Sequence, residues 1–540
     1  MRERHRNAGR WSVALALAVT LSFPAFTPAL ANVGAVNTVN DGHDIIGHDS
    51  LGNSKTYYNT PGSETTFINS AHTGLYLKAG DTVIGREVNP TTLQETGNGG
   101  NLHFSAPGQV VQLDGNIDVS AILKGGAYGG NGGHVTIDSG ALYQNGQIFA
   151  NGNNGGMVQM NVSGMTMGPG ARIEARGLQG NGGVININSS GVVNIPNGAV
   201  VDSSGAVIGT YNTNVIQVKG SMVNLDGILQ ANGLNPGQAG GKVAIYATDS
   251  LRVGPNGKLF ANGAEGFNGY NPTNGGNGGN GGMVLVSANK NLDNDGLIAA
   301  NGGKGGTNPD PAVGPVNNIV DGAGHTVNQQ VSNGQNGGNG GNGGQVEVYF
   351  KDQMTNNGKI QVVGDDGGKG QAAKADAYGA HQYANGGTGG NGGDGGFVKF
   401  FGTPSQAVLS QDHLNVSGGH GAAGGAATTQ SACGCATPGT AGACGKPGGY
   451  SVTPYKPPST PTPPLYPPYP REYTRLGDSL PGAAGQVVNF NRSIFLARAP
   501  LPVIQKKAPP PPPVVILPAP ARKKVVHKPA PKRVPVRGYW

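Results

Sequence analysis

Polar and apolar residues alternate in short phrases that recur along the chain, each introduced by a glycine pair. They read GGNLHF at Gly99, GGHVTI at Gly132, GGMVQM at Gly155, GGVINI at Gly182, GGKVAI at Gly240, GGMVLV at Gly281, GGQVEV at Gly343 and GGFVKF at Gly395, with a degenerate copy, TNVIQV, at Thr213. Period-two alternation predicts strands with one buried face. A second strand-like phrase follows each copy, among them GQIFANG from Gly146, GILQANG from Gly227, GLIAANG from Gly296 and GKIQVVG from Gly358.

Spacing turns the phrases into an architecture. From the second Gly of the first phrase to the opening Gly of the second, seven copies give 13 to 16 residues, whereas successive first phrases lie 23 to 62 residues apart. Nearly all variation therefore falls after the second phrase. A solenoid predicts this: stacked strands cannot change length, and one edge accepts insertions. The expected fold is all-β, a parallel β-helix of about nine or more coils over residues 97–418, with the Gly/Asn runs as removable edge loops, notably Gly302–Gly341 and Gly364–Gly393. Residues 32–96 read as a cap or first coils, with strand-like phrases between Tyr57 and Ile84. Inward stacks are expected from Val135 and Ile137, Val158 and Met160, Val184 and Ile187, Val243 and Ile245, Val284 and Val286, and Val346 and Val348. At ~4.8 Å per coil, nine copies make a rod on the order of 40 Å long. Gly at the turns would supply positive φ. Asn151, Asn232, Asn262 and Asn301 fit either a stacked amide ladder or left-handed turn geometry.

The phrases GGNLHFSAPGQVVQLDGNIDVSA and GNGGVININSSGVVNIPNGAVVDSSG resemble the repeats of filamentous-haemagglutinin-type exoproteins, the bacterial surface proteins of two-partner secretion. That resemblance implies a right-handed β-helix, adhesion, biofilm formation, contact with other cells and passage through an outer-membrane secretion pore. The Asn-Pro-Asn-Gly-Ile type motif of the family's secretion domain has no match in Asn32–Thr96. The longest insertions also resemble glycine-rich repeats of mycobacterial surface proteins, without the helical module that precedes those.

Composition changes the picture at both ends. Arg2, Arg4, Arg6 and Arg10 precede an apolar run, Trp11–Phe23, and the small-x-small site Ala29-Leu30-Ala31, so residues 1–31 read as a cleaved signal peptide. No later segment is apolar enough to cross a membrane, and the expected location is secreted or on a bacterial cell surface. Residues 419–449 read as a Gly/Cys hinge. Residues 450–540 hold 22 of the 38 Pro and 4 of the 98 Gly, and read as an extended, largely disordered basic tail. The net charge of +7 divides into +3 on the signal segment, −7 on Asn32–Asp478 and +11 beyond. Lys506, Lys507, Arg522, Lys523, Lys524, Lys528, Lys532, Arg533 and Arg537 are the candidate contacts to an anionic surface, cell-wall polymer or lipopolysaccharide, with nucleic acid bound only non-specifically.

Candidate chemistry is sparse. Cys433, Cys435 and Cys444 suggest one local disulfide with a thiol left over; a metal site on the three would need His420 or His413 as fourth ligand. A β-helix polysaccharide lyase or hydrolase, the alternative function, needs carboxylates clustered across neighbouring coils. Asp293 with Asp295 and Asp365 with Asp366 form only local pairs and read as solvated turn residues. Asn stands where calcium-binding nonapeptides carry Asp. No cofactor and no catalysis are expected. A flat Asn/Thr face suited to ice or mineral needs a regular exposed ladder, against which the irregular insertion lengths argue. The resulting expectation is a structural or adhesive rod that contacts envelope or extracellular polymers and other cells.

Overall fold

Alternation and spacing work out on the backbone as two long, mainly parallel sheets, one of seventeen strands and one of twelve. A computed structural model of the chain describes residues 37–40, 55–68, 74–125, 127–205, 215–269, 273–308, 316–320, 326–376, 383–402, 407–409, 411–426, 428–429 and 438–454. All belong to the first of two compact units, Met1–Leu496 and Ala497–Trp540. The signal segment, Cys433, Cys435 and the basic residues from Lys506 to Arg537 lie outside the described residues. Among the described residues about half are strand, and the one helical segment is the short turn Gln411–His413.

Each first phrase forms a strand of the wide sheet. His134–Gln144 pairs in parallel with Asn101–Leu113 on one side and Met157–Met167 on the other, residue against residue. Each second phrase adds a three-residue strand to the narrower sheet, as Gln147–Phe149 does beside Arg172–Glu174. The registers align the inward side chains in columns. One runs Phe67, Phe104, Ile137, Met160, Ile187, Val218, Ile245, Val286, Val348 and Phe400. Another, in the facing sheet, runs Ile117, Ile148, Ile173, Val201, Leu229, Leu259, Ile298 and Ile360. All are buried in one continuous core. A coil offers only a few apolar side chains, so its neighbours above and below complete the burial.

Corners of the coil admit polar residues when they stack as well. Asn294 is fully buried, donates from Nδ2 to Oδ1 of Asn356 at 2.6 Å, and accepts the Gly296 N–H at 3.2 Å. Asn294 and Asn356 thus find partners in their own turn and the adjacent coil.

Several boundaries differ from expectation. In GGVINI the buried residue is Ile185, which pairs with Val158 and Ile216, and Val184 is only half-buried. Val184 and Ile187 are three apart and so face opposite ways in a strand; the alternation Ile185-Asn186-Ile187-Asn188 sets the parity, and the neighbouring columns match it. Of the two expected alternatives before residue 97, cap or first coils, the structure takes the coils: Thr65–Ile68 and Leu75–Leu77 pair with Asn101–Leu113, and Lys55–Asn59 pairs with Thr82–Val88. The stack continues past Gly418: Gly449–Thr453 pairs in parallel with Phe397–Phe401, so the described part of the expected hinge is built into the body.

Substituting Val348→Asp places a carboxylate in a column with no polar partner. Such burial is among the few single changes that cost about 4 kcal/mol or more. The expected outcome is a large drop in melting temperature, read by far-UV circular dichroism.

Candidate functional site

The Gly/Asn runs are not edge loops. From Asn262 onward the chain leaves the narrow sheet along one glycine-rich run, turns, and returns along a second run that feeds the next wide-sheet strand. The outgoing runs include residues 262–269, 301–308, 363–371 and 416–426; the return runs include 273–282, 333–344, 385–396 and 438–449. Between outgoing and return runs the chain also builds a small antiparallel sheet from Val316–Val320, Thr326–Ser332 and Lys374–Asp376.

Hydrogen bonding follows a three-residue code. In the return run of 333–344, the first glycines, Gly337 and Gly340, donate to Thr388 O and Asn391 O of the next coil at 2.9 and 2.8 Å. The second glycines, Gly338 and Gly341, donate to Gly306 O and Gly303 O of the outgoing run at 2.9 and 2.8 Å. The third residues, Asn336, Asn339 and Asn342, donate their backbone N–H to Oδ1 of Asn274, Asn277 and Asn280 in the previous coil, at 3.0, 2.8 and 2.9 Å. Three successive N–H groups thus point in three directions before the cycle repeats, which is the symmetry of a threefold extended chain of the polyproline II type. Every N–H along this stretch finds an acceptor, the requirement for ordering a backbone with few side chains to bury.

Glycine is needed here for proximity. A Cβ on Gly338 would overlap the carbonyl oxygen of Gly276, and one on Gly390 the carbonyl oxygen of Gly338. Positive φ is not the reason, because among the described residues the positive-φ glycines, such as Gly170 and Gly198, lie outside the long runs from Asn262 onward. The two runs of each coil therefore form a two-layer glycine slab continuous with the β-helix.

The slab grows out of a ladder already present in the short-turn coils. Asn131, Asn154 and Asn181 each donate their N–H to the Oδ1 of an Asn one coil earlier: Asn98, Asn131 and Asn154. The Ala-Asn-Gly turns form a second ladder, with Asn262 N–H on Asn232 Oδ1 and Asn301 N–H on Asn262 Oδ1, both at 2.8 Å. Asn151 serves Arg176 N–H in the same way. No described Asn has positive φ, so the stacked arrangement holds and the left-handed turn does not. The regular ladder that the insertion lengths argued against is present.

The slab has two unlike faces. The exposed third positions of the return runs carry Asn274, Asn277, Asn280, Asn333, Asn336, Asn339, Asn342, Asn385, Thr388, Asn391 and Asp394, and in the last run Thr440, Ala443 and Lys446. Those of the outgoing runs include Glu265, Lys304, Asp366, Lys369 and His420. Beside Glu265, an open groove of about 710 Å³ is lined by Asn232, Leu234, Pro236, Asn262, Phe267 and Asn268, with Phe267 half exposed.

The sequence-derived candidates scatter. Asp365 and Asp366 belong to the slab and are not free turn carboxylates: Asp366 N–H bonds Asp365 Oδ1, and His420 N–H bonds Asp366 Oδ1, both at 2.7 Å. Burial pushes the Asp365 carboxyl above its ordinary value. Asp295 accepts from Asn357 Nδ2 at 3.0 Å, and Asp293 stands in register between Arg252 and Thr355. Cys444 is an exposed free thiol in the last described return run. His413 lies 3.3 Å from Asn356 O, and among the described residues no group of three or more His, Cys, Asp or Glu could hold a metal ion.

Two outer-face clusters escaped sequence reading, because only strand register brings their members together. His103 sits between Asp138, at 2.8 Å, and Glu64, at 3.4 Å. Tyr349 stacks on Phe401 with ring centroids 4.3 Å apart and donates its hydroxyl to Glu347 at 2.9 Å. Burial and that carboxylate raise the Tyr349 phenol far above its usual range. Comparison with protein-family models, curated proteins and solved structures finds no match to the chain.

The glycine code makes a sharp prediction. Gly338→Ala is expected to cost about 2–3 kcal/mol through forced separation of the layers. Gly164→Ala, whose Cβ would meet only Val192 O at 3.7 Å, should change stability by less than about 0.5 kcal/mol. Melting curves of the two variants check the difference.

Proposed function

We propose that the chain is an exported bacterial surface protein with a structural and adhesive role: a right-handed parallel β-helix of about nine or more coils, of the filamentous-haemagglutinin type, without catalysis. The observation that carries this reading is the slab. Repeated insertions are arranged as one rigid, flat, hydrogen-bonded plate, and the acids of Asp365 and Asp366 serve its backbone. Extended flat surfaces with repeated polar groups suit contact with polymers and other cells better than the turnover of one small molecule, which needs an enclosed pocket.

Export rests on the Arg-rich start, the apolar run Trp11–Phe23 and the Ala29-Leu30-Ala31 site. The basic residues from Lys506 to Arg537, which follow a Pro-rich segment in the sequence, act as an electrostatic anchor to the anionic envelope of the producing cell. Their attraction is screened over ~8 Å at physiological ionic strength. Retention of the full chain on isolated envelopes should therefore fall as salt is raised, and a chain ending at Asp478 should be retained less at low salt. Equal retention of both at every salt concentration contradicts the anchoring role.

A further inference from the structure

We propose that the return-run face of the glycine slab binds uncharged polysaccharide, its side-chain amide N–H groups donating to the hydroxyl, ring and carbonyl oxygens of the sugar. The proposal deepens the adhesive reading above by assigning it a face and a ligand class.

The fold explains only half of each asparagine. Oδ1 of Asn277 takes the Asn339 N–H, Oδ1 of Asn339 takes the Asn391 N–H, and Oδ1 of Asn391 takes the Ala443 N–H. With the acceptor committed, the amide plane is oriented and Nδ2 is left with two outward donors. Among the described residues, Nδ2 of Asn277, Asn336, Asn339, Asn342 and Asn391 has no protein acceptor. The face is therefore an array of fixed donors, repeating at about 9 Å along a run of three-residue steps and about 4.8 Å from coil to coil.

Backbone satisfaction does not by itself require this composition. On the opposite face Lys304 precedes Asp366 by one coil in the equivalent column, and an ammonium has no acceptor to offer. Asp366 and Asp394 fill the acceptor role where they occur, taking the N–H groups of His420 and Lys446. A slab can thus be built with charged residues, yet the return face keeps nine Asn and one Thr in the eleven third positions of runs 273–282, 333–344 and 385–396. Its ligand must present many regularly spaced acceptors. It must also lack negative charge, since Asn32–Asp478 carries −7. A neutral polysaccharide meets both conditions. Each sugar contact replaces one with water and contributes little alone, and the array gains strength by engaging many donors on one chain.

The test uses the full chain and binding isotherms on cellulose, chitin and neutral β-glucan, with alginate as the anionic control. N277D/N336D/N391D keeps every Oδ1 acceptor, spaces the new carboxylates across the array and removes six donors. N277T/N336T/N391T replaces each amide NH2 by a single hydroxyl without adding charge, using the residue already resident at position 388. The proposal expects the native chain to bind at least one neutral polymer and not alginate, with both variants at least tenfold weaker while the melting temperature of the Asp variant stays within a few degrees. Native-like binding by both variants overturns it, as does absence of binding to every neutral polymer, or shaping of ice crystals without polysaccharide binding. If both variants melt early, N339D alone, measured the same way, decides. Envelope retention that persists when polysaccharide binding fails would sink this proposal and leave the surface role standing.

Discussion

The backbone hydrogen bond between one coil and the next, at the strand spacing of about 4.8 Å, is the constraint on which the rest of the molecule depends. It sets the columns of the core, because Val284, Val346 and Val398 can stack only if their strands are in register. It also sets the slab, where the same bond is made by glycine and asparagine with little help from burial. The two halves are continuous: Gly344 N–H reaches Ala300 O at 2.7 Å, and the next residue, Gln345, reaches Gly282 O at 2.9 Å. A run that slipped by one residue would put an Asn side chain where only a glycine fits. The partner offset therefore stays constant, 62 residues for Asn336, Asn339 and Asn342 and 52 for Asn385, Asn391 and Asp394.

The strand half of this design was legible because its signal is local. Period-two alternation and the constant interval between phrases place Ile137, Ile245 and Val348 correctly in the core. Val184 was misplaced by one residue: it and Ile187 face opposite ways in a strand, and Ile185 is the residue that stacks with Val158 and Ile216. The slab was misread for a different reason. The expectation of edge loops gives glycine the task of supplying positive φ at turns, whereas GGNGGNGG carries a period of three that matches three directions of hydrogen bonding. The matching partners, Asn274 for Asn336 and Asn336 for Thr388, lie 62 and 52 residues apart. Only knowledge of the coil lengths connects them. Likewise, His103 with Asp138 and Tyr349 with Phe401 are neighbours across coils and distant in sequence.

Order in the slab has a functional consequence. Flexible glycine loops would present asparagines with no fixed geometry and would lose much entropy on meeting a ligand. Locked by their Oδ1 bonds, the same asparagines stand as a prepared surface, and that cost is met during folding. The opposite face, with Glu265, Lys304, Asp366 and Lys369, is polar and charged, so the plate has two chemically distinct sides. The C-terminal side of the slab is also marked. Ala441, Cys444 and Pro447 replace the glycines whose N–H groups reach forward to the next coil, and Pro447 has no N–H to give.

Amide hydrogen exchange of Asn333–Gly344, compared with the strand Gln345–Phe350 that follows it, tests the central claim most directly. If the glycine run is a hydrogen-bonded part of the solenoid, its amides exchange slowly and open together with those of Val346 and Val348. Exchange of the run within seconds at neutral pH, beside a protected strand, would contradict the account and return these residues to the status of loops.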